Sequence, residues 1–442
     1  YSSHAPVVAR SLGKVSIVNP EIKMGDRQFE LSGTVIKEGD YVTMDVPVYR
    51  PPMIALGKAS LINPDIQTNG LVEFIDIIKK FIQPAFVVRA NADLGRDARV
   101  AKMMGAYGIG LCRTEHMFFA EDRINRFREM ILARDAAERK KALDDLRPLQ
   151  AGDFYDLFKT MSPYPVTIRL LDAPLHEFLP RTPEMLDAYM EYLKKKGVSA
   201  DRAAVQAQID RLHEFNPMLG HRGCRVAVSY PEIYEMQVRA IFEAAVRLSG
   251  EGVEVVPEIM IPLIMNPNEL RFIRNGKKIE GKHIIGISDI GRDYKRASGQ
   301  QVDYKVGTMI ELPAAALLST EIARYAEFFS FGTNDLTQTT NGLSRDDVNS
   351  FFPVYTEFDL LASNPFQVLG DPVKELVRIS SQRGKLSRPD LKLGLCGEHG
   401  ADPSNIEFCM DSGLNYVSCS PYSVPIALLA VAQLTMNRSS VR

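Results

Sequence analysis

The chain has 442 residues, 45% hydrophobic and 24% charged, with a formal net charge of -2. That balance is ordinary for a globular protein and argues against nucleic acid or an anionic membrane surface as a partner. No apolar run approaches the ~20 residues that span a bilayer, and five cysteines without a CxxC spacing argue against a disulfide scaffold or zinc site and for a reducing compartment. We expect no signal peptide, and the opening Tyr1 in place of Met reads as the start of a piece of something longer.

In chain order, residues 1–60 read as short strands between glycine turns, at 14–18, 28–31, 33–36 and 40–45. Such a segment buries little core by itself, so we expect an incomplete small β-rich domain. Residues 61–83 form a linker, with an amphipathic helix expected over 71–82. From 84 to 442 the pattern becomes strand then helix, repeated. Strands are expected at 85–90, 108–112, 166–171, 256–264, 304–311, 328–333, 392–396 and 415–420. Helices are expected at 95–107, 121–146, 231–249, 314–326 and 404–412, with 183–196 and 201–213 as a helical insertion. Eight strands alternating with helices predict an α/β fold, a closed (β/α)8 TIM-type barrel over 84–442.

Three of these strands end in groups that carry chemistry. FFSFGTND (328–335) runs from apolar residues to Gly332, Thr333, Asn334 and Asp335; YKVGTMIE (304–311) ends in Glu311; KLGLCGEHG (392–400) delivers Cys396 before His399. A buried parallel strand reads this way where it surfaces, and in a barrel those C-terminal ends share one mouth. Glu311 and Asp335 suit a hard divalent cation such as Mg2+; the bland alternative is helix capping. Cys396 is either a small buried hydrophobe or a thiol facing the mouth as a proton donor.

Arginines also stand at or past strand ends: Arg89, Arg113, Arg169, Arg222 and Arg225. A guanidinium in an apolar strand needs a partner. Asp172 and Glu115 are local candidates for salt bridges, whereas several arginines at one mouth favour an anionic substrate. His4 reads by position as a solvated histidine. His116, His176, His213, His221 and His283 show no metal-ligand spacing.

Across essentially its whole length the chain resembles the C-terminal part of the pyruvate phosphate dikinases, a family of phosphoenolpyruvate-utilising enzymes. SHAPVVAR (3–10), GLCRTEHMFF (110–119), NPMLGHRGCR (216–225), FGTNDLTQ (331–338), CGEHG (396–400) and NYVSCSP (415–421) carry the resemblance. It implies that 1–60 is the C-terminal remnant of a swivelling phosphohistidine domain with His4 as phosphoryl carrier. It implies Arg113, Arg169 and Arg222 as phosphoryl-binding, Glu311 and Asp335 as Mg2+ ligands that also touch substrate, and Cys396 as the acid that protonates the enolate. Gly332, Thr333, Asn334, His399 and Tyr416 would line the substrate.

The implied activity is the pyruvate half of the conversion of ATP, phosphate and pyruvate to AMP, pyrophosphate and phosphoenolpyruvate. An ATP-grasp domain of the same polypeptide would carry the other half. A homodimer and a cytoplasmic location, with a plastid or other organelle left open, complete the expectation. Phosphoenolpyruvate synthase, the first enzyme of the sugar phosphotransferase system and a Mg2+-dependent pyruvate-enolate lyase are the alternatives. Two departures from the family pattern stand out: Ser2-Ser3-His4-Ala5-Pro6 where Thr-Ser-His-Ala-Ala is common, and Pro313-Ala314-Ala315 where Pro-Arg-Ala is common.

Overall fold

A computed structural model describes residues 15–17, 21–46, 51–61, 70–345, 347–361 and 363–440. His4 lies outside these residues. Contacts divide the chain into two units, one formed by Tyr1–Leu71 with Leu343–Ala362 and the other by Val72–Gly342 with Ser363–Arg442.

In the first unit Lys23–Gly25, Gln28–Leu31 and Thr34–Lys37 form a three-stranded antiparallel sheet, and Val42–Asp45 pairs with Met53–Leu56. The strand expected over 14–18 does not form across its described residues, 15–17.

The second unit is a closed barrel. Its strands are β1 (Val87–Asn91), β2 (Ile109–Arg113), β3 (Val166–Arg169), β4 (Pro257–Ile261), β5 (Lys305–Ile310), β6 (Phe328–Phe331), β7 (Lys392–Leu395) and β8 (Tyr416–Cys419). All eight expected strands are present, in sequence order, each parallel to its neighbours. Closure places β8 beside β1, with Ser418 opposite Arg89. Helices cover the outer face, which is why β6 can be FFSF and buried throughout.

Between β3 and β4 lies the expected insertion, with helices Pro183–Lys195, Arg202–Leu212, Cys224–Ser229 and Pro231–Gly250. The single helix expected over 121–146 is instead two, Glu121–Ile131 and Ala136–Met161. Asp135 makes the break: its carboxylate accepts from the backbone N–H of Ala137 and Glu138 at 2.9 and 2.8 Å, starting a new helix. The helix expected over 314–326 is likewise split, into Pro313–Leu317 and Ser319–Ile322. Among the described residues no helix is long and apolar enough to cross a membrane.

Opposite the mouth, Arg89 corrects an expectation. Rather than joining the other arginines, it is buried near the strand N-termini, its Nη1 donating to Glu258 Oε2 at 2.7 Å and Thr167 Oγ1 at 3.1 Å. Its guanidinium lies 4.2 Å from the Tyr416 ring centroid, and Lys392 reaches the other Glu258 oxygen at 2.9 Å. This is a buried charge matched by hydrogen bonds on several sides, which is what such a group requires.

Candidate active site at the barrel mouth

The C-terminal ends of the strands converge as the pattern predicts. Arg113 and Arg169 are the last residues of β2 and β3; Glu311, Gly332 and Cys396 directly follow β5, β6 and β7. Thr333, Asn334 and Asp335 open the helix Thr333–Asn341, so Asp335 sits in the first turn, where the helix dipole favours an anion.

Asp172, Glu311 and Asp335 bring one carboxylate oxygen each within 4.8 Å of one another. Glu311 Oε1 accepts from the backbone N–H of Leu263 at 2.6 Å, and Leu263 holds a left-handed backbone (φ 58) to present it. Gly223 makes room for this arrangement: a Cβ there would meet Asp172 Oδ1 at 2.8 Å and Leu263 Cβ at 2.9 Å. Burial, reinforced by the charges of Asp172 and Asp335, pushes Glu311 well above the usual carboxylate range, against Arg222 and Arg169. Burial also pushes Asp335 upward, but Arg222, a hydrogen bond with Glu311 and Arg169 outweigh it and leave that carboxyl low.

Arg222 binds Asp172 through Nε at 3.0 Å and Nη2 at 2.7 Å, a forked pair. Its Nη2 also donates to Asp335 Oδ2 at 3.2 Å. Arg169 reaches Asp172 at 2.9 Å and forms a short ion pair with Glu115. Both salt-bridge partners anticipated from sequence are therefore real, and both arginines still face the mouth. Glu115, Asp172, Glu311 and Asp335 share the guanidiniums of Arg169 and Arg222. An all-oxygen cluster of this kind, with one carboxyl forced toward its neutral form, fits a hard divalent cation. Asp172 belongs to that cluster, a role the sequence reading missed; its place three residues beyond Arg169 was the available signal.

Cys396 is buried, its thiol 3.7 Å from the Phe331 carbonyl oxygen, in a cluster with Leu111, Met260, Met309 and Phe328. Met309 connects it to the charged groups, since its sulfur also lies 3.9 Å from Arg169 Nη1. Burial pushes the thiol up, opposed by neighbouring Ser330, Arg113 and Arg169. The thiol is thus held in its neutral form at neutral pH. Beside it, buried His399 pairs through Nδ1 with Thr333 Oγ1 at 2.8 Å and through Nε2 with the Pro365 carbonyl at 2.9 Å. Gly397 permits this crowding, because a Cβ there would meet Thr333 Oγ1 at 1.9 Å. A Cβ on Gly332 would strike Met309 Sδ at 2.7 Å. Tyr416 corrects an expectation: as the first residue of β8 it lies inside the barrel toward the foot, its ring against Gly394, Gly110 and the Arg89 guanidinium, away from the substrate-lining residues.

These features define a (β/α)8-barrel protein with arginines and a carboxylate trio gathered at its mouth. The chain belongs to the phosphoenolpyruvate-utilising enzymes: residues 79–436 match the family model described as "PEP-utilising enzyme, PEP-binding domain". It is 58% identical over 443 residues to "Pyruvate, phosphate dikinase" of Treponema pallidum (strain Nichols), covering 99% of this chain and 49% of that protein. It is 46% identical over 447 residues to the protein of the same name from Rhizobium meliloti (strain 1021), covering 100% and 47%. It is 46% identical over 443 residues to "Pyruvate, phosphate dikinase 1, chloroplastic" of Arabidopsis thaliana, covering 98% and 44%. The chain spans about half the length of the curated relatives it matches.

Proposed function

We propose that this chain performs reversible phosphoryl transfer between phosphoenolpyruvate and its own His4, yielding pyruvate: the half-reaction at the barrel of a pyruvate phosphate dikinase. The observation that carries the reading is the carboxylate trio Asp172, Glu311 and Asp335 held against Arg169 and Arg222 at the mouth, in a chain of the phosphoenolpyruvate-binding family.

In this reading Glu311 and Asp335, with Asp172 beside them, hold Mg2+. When bound, the ion supplies positive charge to the substrate's carboxylate and enol oxygen. Arg113, Arg169 and Arg222 bind the phosphoryl oxygens and orient the group for in-line transfer. The P–O bond of phosphoenolpyruvate breaks, its electrons pass into the enolate, and a P–N bond forms at a neutral nitrogen of His4. Cys396 gives its thiol proton to C3, completing pyruvate; in reverse the thiolate removes a methyl proton. Gly332, Thr333 and Asn334 line the substrate at the start of their helix, with His399 supporting that wall.

The same reading assigns 1–60 to the end of a swivelling phosphohistidine domain, 61–83 to a linker and 84–442 to the substrate barrel. An ATP-grasp domain of the same polypeptide supplies the nucleotide half-reaction, the working form is a homodimer, and the location is cytoplasmic or, as the printed name of the Arabidopsis relative suggests, plastid.

Incubation with phosphoenolpyruvate carrying 32P and with Mg2+ tests this. Label should appear on the unaltered chain and be absent from His4→Ala. An unaltered chain that takes no label refutes the proposal.

A further inference from the structure

At the edge of the mouth one carboxylate ties together the exits of two neighbouring strands. Asp93 stands two residues beyond β1. Its Oδ1 accepts from the backbone N–H of Arg113 at 2.7 Å, and its Oδ2 lies 2.7 Å from His116 Nδ1. Both partners belong to the segment in which β2 passes into the short helix Thr114–Phe119. That segment carries Arg113, which we assign to the phosphoryl group, and Glu115, which holds Arg169. The His116 side chain is 38% exposed, so it exchanges protons with solvent, whereas the Asp93 side chain is only 17% exposed. The His116 ring packs on Phe119 with centroids 6.5 Å apart, and Phe119 stacks on Phe178 at 4.7 Å.

We propose that Asp93 and His116 are a positioning pair that sets Arg113 and Glu115 for anion binding, and that protonation of His116 strengthens that binding. The proposal rests on the phosphoenolpyruvate reading above. Neither residue touches the reacting atoms. A charged imidazole makes the shorter and stronger bond to a carboxylate, so it fixes the turn more tightly than the neutral ring does. It also adds positive charge next to Arg113 on the side where a dianionic phosphoryl group approaches.

The charged groups facing His116 are Asp93, Glu115 and Arg113, and beyond Asp93 stand Asp97 and Arg96 from the helix Gly95–Met103. Burial lowers the His116 pKa, but Asp93 and Glu115 outweigh it and Arg113, leaving the imidazole raised. Burial raises Asp93, and His116 and Arg113 more than reverse it. With its folded pKa raised, the His116 charge is fully present below the ordinary histidine value and is lost as pH rises through the folded one.

The test uses the whole chain and 32P transfer from phosphoenolpyruvate, measured against substrate concentration and pH. His116→Ala should raise the half-saturating concentration about tenfold at mildly acidic pH while the limiting rate changes little. His116→Asn keeps a donor for Asp93 without a charge. It should hold the affinity at every pH near the weaker value that the unaltered chain shows once His116 is neutral, and remove the His116-dependent rise in affinity at acidic pH. Asp93→Asn keeps an acceptor for the Arg113 N–H, and should lower the His116 pKa read by NMR titration. Unchanged half-saturation in His116→Ala, or the unaltered pH dependence persisting in His116→Asn, overturns the proposal. If His116→Ala does not fold, His116→Asn and the NMR titration decide: a His116 pKa insensitive to Asp93→Asn overturns the pair. Absence of label on the unaltered chain removes the functional reading and this inference together, whereas label with normal half-saturation in the variants removes this inference alone.

Discussion

Arg222 donates to Asp335 at 3.2 Å, joining the loop before the insertion helix Cys224–Ser229 to the first turn of the helix that follows β6. The two residues are 113 positions apart in the chain. Because Arg222 also grips Asp172 with a fork, one guanidinium holds two of the three clustered carboxylates. It keeps the cluster assembled and leaves Glu311 as the member most in need of further positive charge.

Divalent-cation binding should therefore depend on all three acids. Glu311→Gln, Asp335→Asn and Asp172→Asn are each expected to weaken Mg2+ or Mn2+ binding by about 10- to 100-fold, the scale on which even supporting groups act at metal sites. Titration calorimetry reads this directly. Full affinity in both Glu311→Gln and Asp335→Asn would remove the metal assignment; full affinity in Asp172→Asn alone would make that residue an arginine partner only.

The thiol of Cys396 should behave as a buried, protonated group. Deuterium exchange of pyruvate methyl protons, followed by NMR with Mg2+ present, should fall by about 100- to 10,000-fold in Cys396→Ala, the usual weight of general acid–base catalysis. Thiol-directed reagents at neutral pH should modify this residue slowly, since burial pushes its pKa up. Exchange at the unaltered rate in Cys396→Ala would end its role.

At the other end of the barrel, Glu258 answers to Arg89 and Lys392. Burial raises its pKa, but the two cations and their hydrogen bonds more than reverse this and hold it low. A depressed carboxyl stabilises the fold above the ordinary glutamate value of ~4.3 and ceases to as pH falls toward the folded value. Removing it leaves Arg89 buried without its partner, so Glu258→Gln should destabilise by about 3–5 kcal/mol near neutral pH. Thermal unfolding should show the gap between variant and unaltered chain narrowing in acid. A gap constant with pH would contradict the pairing.

Much of this was legible in the linear pattern. Each barrel strand is a short apolar run bounded by turn residues, and the groups just beyond β5, β6 and β7 fall at the mouth because a parallel barrel allows no other end for them. Helix boundaries were less legible. Leu132–Asp135 reads as continuous with its flanks until Asp135 is seen to cap a new helix. Arg89 and Arg113 look alike as strand arginines, yet one is buried at the foot of the barrel and the other stands at its rim.

What the amino-acid order determined by itself was the strand–helix rhythm, and with it the face on which Arg113, Arg169, Glu311, Asp335 and Cys396 emerge, because side-chain alternation and strand direction are local properties. What only the tertiary structure decided was partnership: Asp172 joining Glu311 and Asp335, Arg222 spanning two of them, and Asp93 reaching both Arg113 and His116. Those contacts depend on barrel closure and on loop paths between distant segments. A carboxylate's charge state and role follow from which charges that closure places within a few ångströms of it, and no local pattern encodes that distance.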